Sequence, residues 1–173
     1  MNGADKIKEA LERNVKAVTL RPGVGQGTAV TKVVLREGLT CEVADGHWTL
    51  TASMSEKYGG ANSGPNPGVL GRAALGTCIA AGYAMWAARL GLPLASLEVE
   101  VQADYDVRGE LGVADDVTPG YTAVRYAVRV ESPAPEAEVR RVLDIADKYS
   151  SWRDMYARAI PLERELIVTR SGD

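Results

Sequence analysis

Residues Gly59–Gly91 read GGANSGPNPGVLGRAALGTCIAAGYAMWAARLG, and the fold follows from how this stretch is understood. A Gly-, Pro- and Asn-rich loop opens it. A long helical pattern follows, with Asn66 placed as N-cap and Pro67 at the first helical position, where a missing N–H costs nothing. Gly91, followed by Pro93, supplies the stop. Between them the larger apolar residues Val69, Leu70, Leu75, Ile79, Met85 and Leu90 are spaced by Gly and Ala. Gly is a poor helix former, by roughly 1 kcal/mol against Ala. A helix carrying Gly68, Gly71, Gly76 and Gly82 therefore needs tertiary support, and close approach of another backbone is the physical reason to keep them. The stretch is expected to be a central, buried helix with Cys78 in its middle.

Outward from this helix the chain reads as an α+β domain. Ala4–Asn14 is predicted to be a short amphipathic helix, and Val15–Arg21 a strand by its alternation. The glycines of PGVGQGTA (residues 22–29) superficially match a dinucleotide fingerprint, but such a fingerprint must open a helix. Here Val30, Thr31, Val33 and Val34 follow, so a turn between strands is the better reading. Ala29–Arg36, Leu39–Val43 and Trp48–Ala52 are expected as successive strands joined at Glu37-Gly38 and Asp45-Gly46, the second a strong hairpin signal. His47, beside that turn, has no partners for a ligand role.

Beyond the helix, Leu97–Val107 alternates, with Val99, Val101, Ala103, Tyr105 and Val107 on one face and Glu98, Glu100, Gln102, Asp104 and Asp106 on the other. The acids read as the wet side of a sheet rather than as metal ligands. Tyr121–Glu131 alternates likewise and is expected to pair with it antiparallel. Ser132-Pro133 ends that strand. Glu136–Tyr149 is an amphipathic helix with Val139, Val142, Leu143 and Ala146 on its apolar face. Ser150–Arg158 reads as a short helix or a structured loop, and Leu162–Thr169 as a closing strand.

Composition narrows the function classes. The 173 residues suit one domain with its own core. Twenty Lys and Arg against 23 Asp and Glu, with no basic stripe, argue against nucleic acid and anionic membranes as partners. The amino terminus lacks the layout of a signal peptide, and the apolar run Cys78–Trp86 is too short to cross a bilayer. With two cysteines and one histidine, neither a disulfide framework nor a zinc site is expected, nor is any cofactor. A cytoplasmic location fits.

Cys78 has two readings. Free Cys is among the most buried residue types and packs as a small hydrophobe. A reactive thiolate, in contrast, needs a nearby cation, because a mid-helix position gains little from its own helix dipole. Arg72 on the same helix and Arg36 before the first hairpin turn are the candidates. Cys41 reads as a strand-packing residue.

The GPNPG loop, the small-residue helix centred on Cys78 and the LEVEV strand together resemble the OsmC/Ohr family of osmotically inducible and organic-hydroperoxide-resistance proteins. PGYTAVRYAVRVESPAPEAEVRRVLDIADKYS resembles that family's later hairpin and second long helix, so the likeness spans roughly residues 35–168. It implies antiparallel sheets wrapped around two long central helices in an intertwined homodimer. The whole chain would then be one such domain, with residues 1–27 as a helix-and-strand extension. It also implies a thiol peroxidase in oxidative stress defence, with Cys78 as the peroxidatic cysteine and Arg36 as its activating arginine.

Two departures stand out. The family's resolving cysteine follows the second long helix, where this chain has Ser150, and Ser cannot form a disulfide. The glutamate that often follows the loop's Asn-Pro is replaced by Gly68. The resemblance therefore implies a one-cysteine hydroperoxide reductase whose oxidised Cys78 is resolved by an external thiol, or by Cys41 if the two approach within about 7 Å. The alternative is a catalytically lapsed dimer binding a small apolar ligand in a pocket at its interface, lined by Tyr83, Met85, Trp86, Trp152 and Tyr156. Thiol chemistry on some other electrophile is a third reading.

Overall fold

The computed structural model describes residues 3–170. Among the described residues there are five α-helices, of which α3 is a single turn at Val107–Glu110, and five strands that form two antiparallel sheets, one before the long helix and one after it. The amino-terminal sheet has the order β1-β2-β3, with β1 at Lys32–Arg36, β2 at Thr40–Asp45 and β3 at Trp48–Ser53. β2 and β3 join through the expected Asp45-Gly46 turn, where Gly46 adopts φ 55° and a residue with a Cβ would be strained. The second sheet pairs β4 (Ser96–Tyr105) with β5 (Tyr121–Glu131), in the register Val99↔Val128 and Val101↔Tyr126.

The long helix α2 runs Pro67–Leu90 with the ends the sequence specifies. Asn66 Oδ1 accepts from the N–H of Val69 at 3.0 Å, and Gly91 takes the left-handed conformation at φ 74° to close the helix. Its Leu75, Ile79 and Tyr83 form the core with Ala146 of α4 (Glu136–Lys148). Leu97, Val99 and Val101 from β4, and Val124, Tyr126 and Val128 from β5, pack against them. Gly76 shows why a small residue is kept here, since a Cβ would meet the Val101 side chain at 3.2 Å. On the other face of this sheet the acids are taken up in cross-strand ion pairs, Arg125 with Asp104 at 2.6 Å and Arg129 with Glu98 at 2.6 Å.

Two expected strands are absent. Val15–Arg21 is not a strand: α1 is one continuous helix, Gly3–Leu20, packed on α2. Leu11, Val15 and Val18 recur at helical spacing, and packing on a neighbouring helix overrides the weak helix preference of Val. PGVG then forms a single 3-10 turn, and extended chain leads into β1, so no helix follows the glycines. Leu162–Thr169 forms no strand and pairs with none among the described residues. Alternation encodes the ability to pair, and no sheet edge of the same chain is used.

By length and composition α2 alone, among the described residues, would pass for a bilayer-crossing segment. Core helices of globular domains pass the same test, and α1, α4, α5 (Ser151–Ala157) and β4 all pack on this one.

Candidate active site

Cys78 lies halfway along α2 and is half-buried. Its Sγ points at the corner where α4 gives way to α5, 3.6 Å from Ser151 Oγ and 3.7 Å from Ser150 Oγ. Ser150 is the N-cap of α5, and its Oγ accepts from the N–H of Arg153 at 3.4 Å. The sulfur thus faces the uncapped amides of a helix other than its own. Burial pushes the Cys78 thiol up. The N–H of Trp152, the hydroxyls of Ser151 and Ser150 and the N–H of Ser151 outweigh it, holding the thiol below its usual pKa. No cation is among these groups.

Both arginines considered from the sequence are engaged elsewhere within the chain. Arg36, at the end of β1, donates from Nη2 to Glu42 Oε2 at 2.8 Å on an exposed face of the amino-terminal sheet. Arg72, one helical turn after Gly68, donates from Nη1 to the hydroxyl of Tyr121 at 2.9 Å. That hydroxyl in turn donates to the carbonyl of Gly68 at 3.0 Å. A Cβ at position 68 would meet the Tyr121 oxygen at 3.2 Å and Arg72 Nη1 at 3.4 Å. Tyr121 therefore fills the ground that an acidic side chain at position 68 would need. Cys41 sits between Leu35 of β1 and Ala52 of β3, a strand residue with a free thiol.

Within one chain the aromatic residues considered as a ligand lining have different neighbours. Tyr83 is 3% exposed in the core, Trp152 packs against that core, and Trp86 stacks on Tyr149 with ring centroids 5.1 Å apart. Tyr156 does border a cleft between α5 and β5. A separate cavity of about 650 Å³ lies at the start of α2, bordered by Met54, Tyr58, Arg72, Tyr105 and Tyr121.

Ser151 was missed as a site residue by sequence reasoning, and Trp152 was considered only as a ligand lining, not as a donor to the thiol. The available signal was the Ser-Ser pair directly after an amphipathic helix, which marks an N-cap. What that cap would face is a matter of tertiary packing.

Comparison with known proteins agrees with this fold. The fold is similar to that of an OsmC-like protein from Mycoplasma pneumoniae, at TM-score 0.67 and 16% identity over 76% of this chain and 89% of that one. It is also similar to an organic hydroperoxide resistance protein OsmC from Legionella pneumophila, at TM-score 0.53 and 16% identity over 74% and 88%. A third likeness is to an OsmC-like hydroperoxide resistance protein from Jannaschia, at TM-score 0.52 and 18% identity over 80% and 90%. A search of curated protein sequences gave no match. The family described as OsmC-like protein matches residues 60–165, which covers the loop, α2, the β4–β5 hairpin and both carboxyl-terminal helices. With that match across more than half its length, the chain belongs to the OsmC-like protein family.

Proposed function

We propose that the protein is a cytoplasmic one-cysteine hydroperoxide reductase in which Cys78 is the peroxidatic thiol. The observation that carries this is the half-buried sulfur set against four hydrogen-bond donors, which favour the thiolate more than in an ordinary cysteine. The thiolate attacks the terminal oxygen of an organic hydroperoxide. An S–O bond forms, the O–O bond breaks, and the departing alkoxide takes a proton to leave as the alcohol. Cys78 is left as a sulfenic acid. One external thiol condenses with it, releasing water and giving a mixed disulfide. A second thiol then displaces Cys78 and leaves as the oxidised reductant. Ser150 stands where a resolving cysteine would otherwise act, so both electrons come from outside the chain.

In this reading the working unit is a homodimer. Only Leu75, Ile79, Tyr83, Ala87 and Ala88 of α2 are buried within one chain, although the helix is largely apolar. Val33, Leu35, Cys41, Val43, Trp48, Leu50 and Ala52 share one face of the amino-terminal sheet by their register, and Val33, Leu35, Trp48 and Leu50 are exposed there. Laying this face on the α2 of a second copy covers both surfaces. Arg36 would serve as the activating arginine if the dimer brought the β1–β2 turn to the rim of a thiol site, where its charge would favour the thiolate.

The test is consumption of tert-butyl hydroperoxide with dithiothreitol or a dihydrolipoyl donor. Turnover by the native protein and none by Cys78→Ser supports the proposal. Equal turnover by the two proteins overturns it.

A further inference from the structure

The groups that hold Cys78 are themselves held by a polar cluster one step further from the sulfur. Asp147 is near the end of α4, three residues before the N-cap Ser150. Its carboxylate is gripped from three elements. Tyr83 of α2, 3% exposed, donates to Oδ1 at 2.7 Å. Tyr126 of β5 donates to Oδ2 at 3.0 Å, and Arg153 Nε of α5 lies 3.9 Å from the same oxygen. The backbone of this residue works as well: its carbonyl accepts from Ser150 N–H at 3.3 Å and from Arg153 Nη1 at 3.4 Å.

Tyr83 and Cys78 are on the same helix, about one and a half turns apart. The Asp147 carboxylate therefore fixes the α4–α5 corner to α2 close to the sulfur, while the Asp147 carbonyl fixes the first turn of α5. Resting on the thiol reading above, we infer that Asp147, gripped by Tyr83 and Tyr126, is a positioning residue. It keeps the hydrogen-bond donors of the corner, Ser150, Ser151 and Trp152, in register with Cys78. The charge of Asp147 is not the agent, because a carboxylate acting directly would oppose a thiolate, and Asp147 is not among the groups that act on the thiol. The groups facing Cys78 are the two serine hydroxyls and the amides of Ser151 and Trp152. Those facing Asp147 are the two phenols and the Arg153 guanidinium.

The test is the pH profile of Cys78 alkylation by iodoacetamide, followed on the Cys78 peptide by mass spectrometry in the intact protein. Asp147→Asn keeps the shape of the side chain but loses the anionic acceptor shared by Tyr83, Tyr126 and Arg153. Its profile is expected to move up by about half to one pH unit, and its alkylation at neutral pH to slow roughly three- to tenfold. Circular dichroism reports whether the fold is kept. If Asp147→Asn does not fold, Tyr126→Phe removes one half-buried donor, and a smaller shift in the same direction is expected.

A native Cys78 that titrates like a free thiol would overturn both this inference and the thiol reading. A native Cys78 with a lowered midpoint that the folded variants leave unmoved would overturn the positioning role alone.

Discussion

Cys78 Sγ and Ser150 Oγ lie 3.7 Å apart although 72 residues separate them in the chain. The contact joins the middle of α2 to the residue that begins α5, so the environment of the thiol is set by how α4 ends. α2 is too far from its own N-terminus at this point to help the thiolate. The donors come from α5 instead.

This proximity predicts the outcome of Ser150→Cys. One equivalent of hydroperoxide should convert the variant to an intramolecular disulfide between Cys78 and the introduced thiol, with loss of water from the sulfenic acid. Native protein under the same conditions should accumulate sulfenic acid or a mixed disulfide with added thiol. Intact mass and peptide mapping under non-reducing conditions separate the two, and a variant that forms no such bond would show that the corner is too rigid to close.

The shared apolar face of the amino-terminal sheet predicts an oligomer. Sedimentation of native protein at micromolar concentration should give a dimer. Leu50→Glu, which places a charge in the centre of that face, should shift it to monomer by raising Kd at least tenfold, because an unpaired carboxylate would be desolvated. A dimer that survives this substitution unchanged would place the contact elsewhere.

Arg36→Ala separates the activating role from a structural one. The Arg36–Glu42 pair is exposed, and such pairs contribute little to stability. The melting temperature should hardly move. If Arg36 serves the thiol, kcat/KM for the hydroperoxide falls roughly tenfold, with the midpoint of its pH profile moving up. Unaltered kinetics would leave the serine and amide donors as the whole of the activation.

Tyr83 predicts an alkaline limit. Burial first, and then its hydrogen bond to Asp147, push the Tyr83 phenol far above the ordinary tyrosine value of 10.0. The folded state therefore keeps a proton that the unfolded chain gives up near that value. A raised folded pKa means that this stabilisation is complete below the unfolded value and declines as pH rises past it. Urea melts should show falling stability above about pH 10, and Tyr83→Phe should flatten the decline even though it lowers stability at neutral pH.

Much of this fold was legible because local rules and tertiary demands agree. Asn66, Pro67 and Gly91 mark the ends of α2 by backbone chemistry that needs no partner, and the Asp45-Gly46 turn and the β4–β5 alternation are equally local. The misread segments are those where a pattern waits on a partner. Val15–Arg21 carries β-branched residues, but Val15–Leu20 continues the helix begun at Gly3, with Leu11, Val15 and Val18 at helical spacing. Leu162–Thr169 alternates as a strand does, yet Leu162 is 98% exposed and no strand among the described residues pairs with the segment.

The site divides in the same way. Cys78 could be singled out from its place in a helix of small residues. Ser151 and Asp147 could not, and Trp152 and Tyr83 were legible only as a ligand lining, because their bearing on the sulfur depends on the packing of α4 and α5 against α2. The identity of residue 68 was readable as a departure. That Tyr121 fills the space it leaves was not.

The most direct measurement is on purified, reduced protein given one equivalent of tert-butyl hydroperoxide and a sulfenic-acid trap, with the modified residue located by mass spectrometry. Rapid labelling confined to Cys78, leaving Cys41 unmodified, is the predicted result. A folded protein in which Cys78 stays a thiol while the peroxide persists would contradict it.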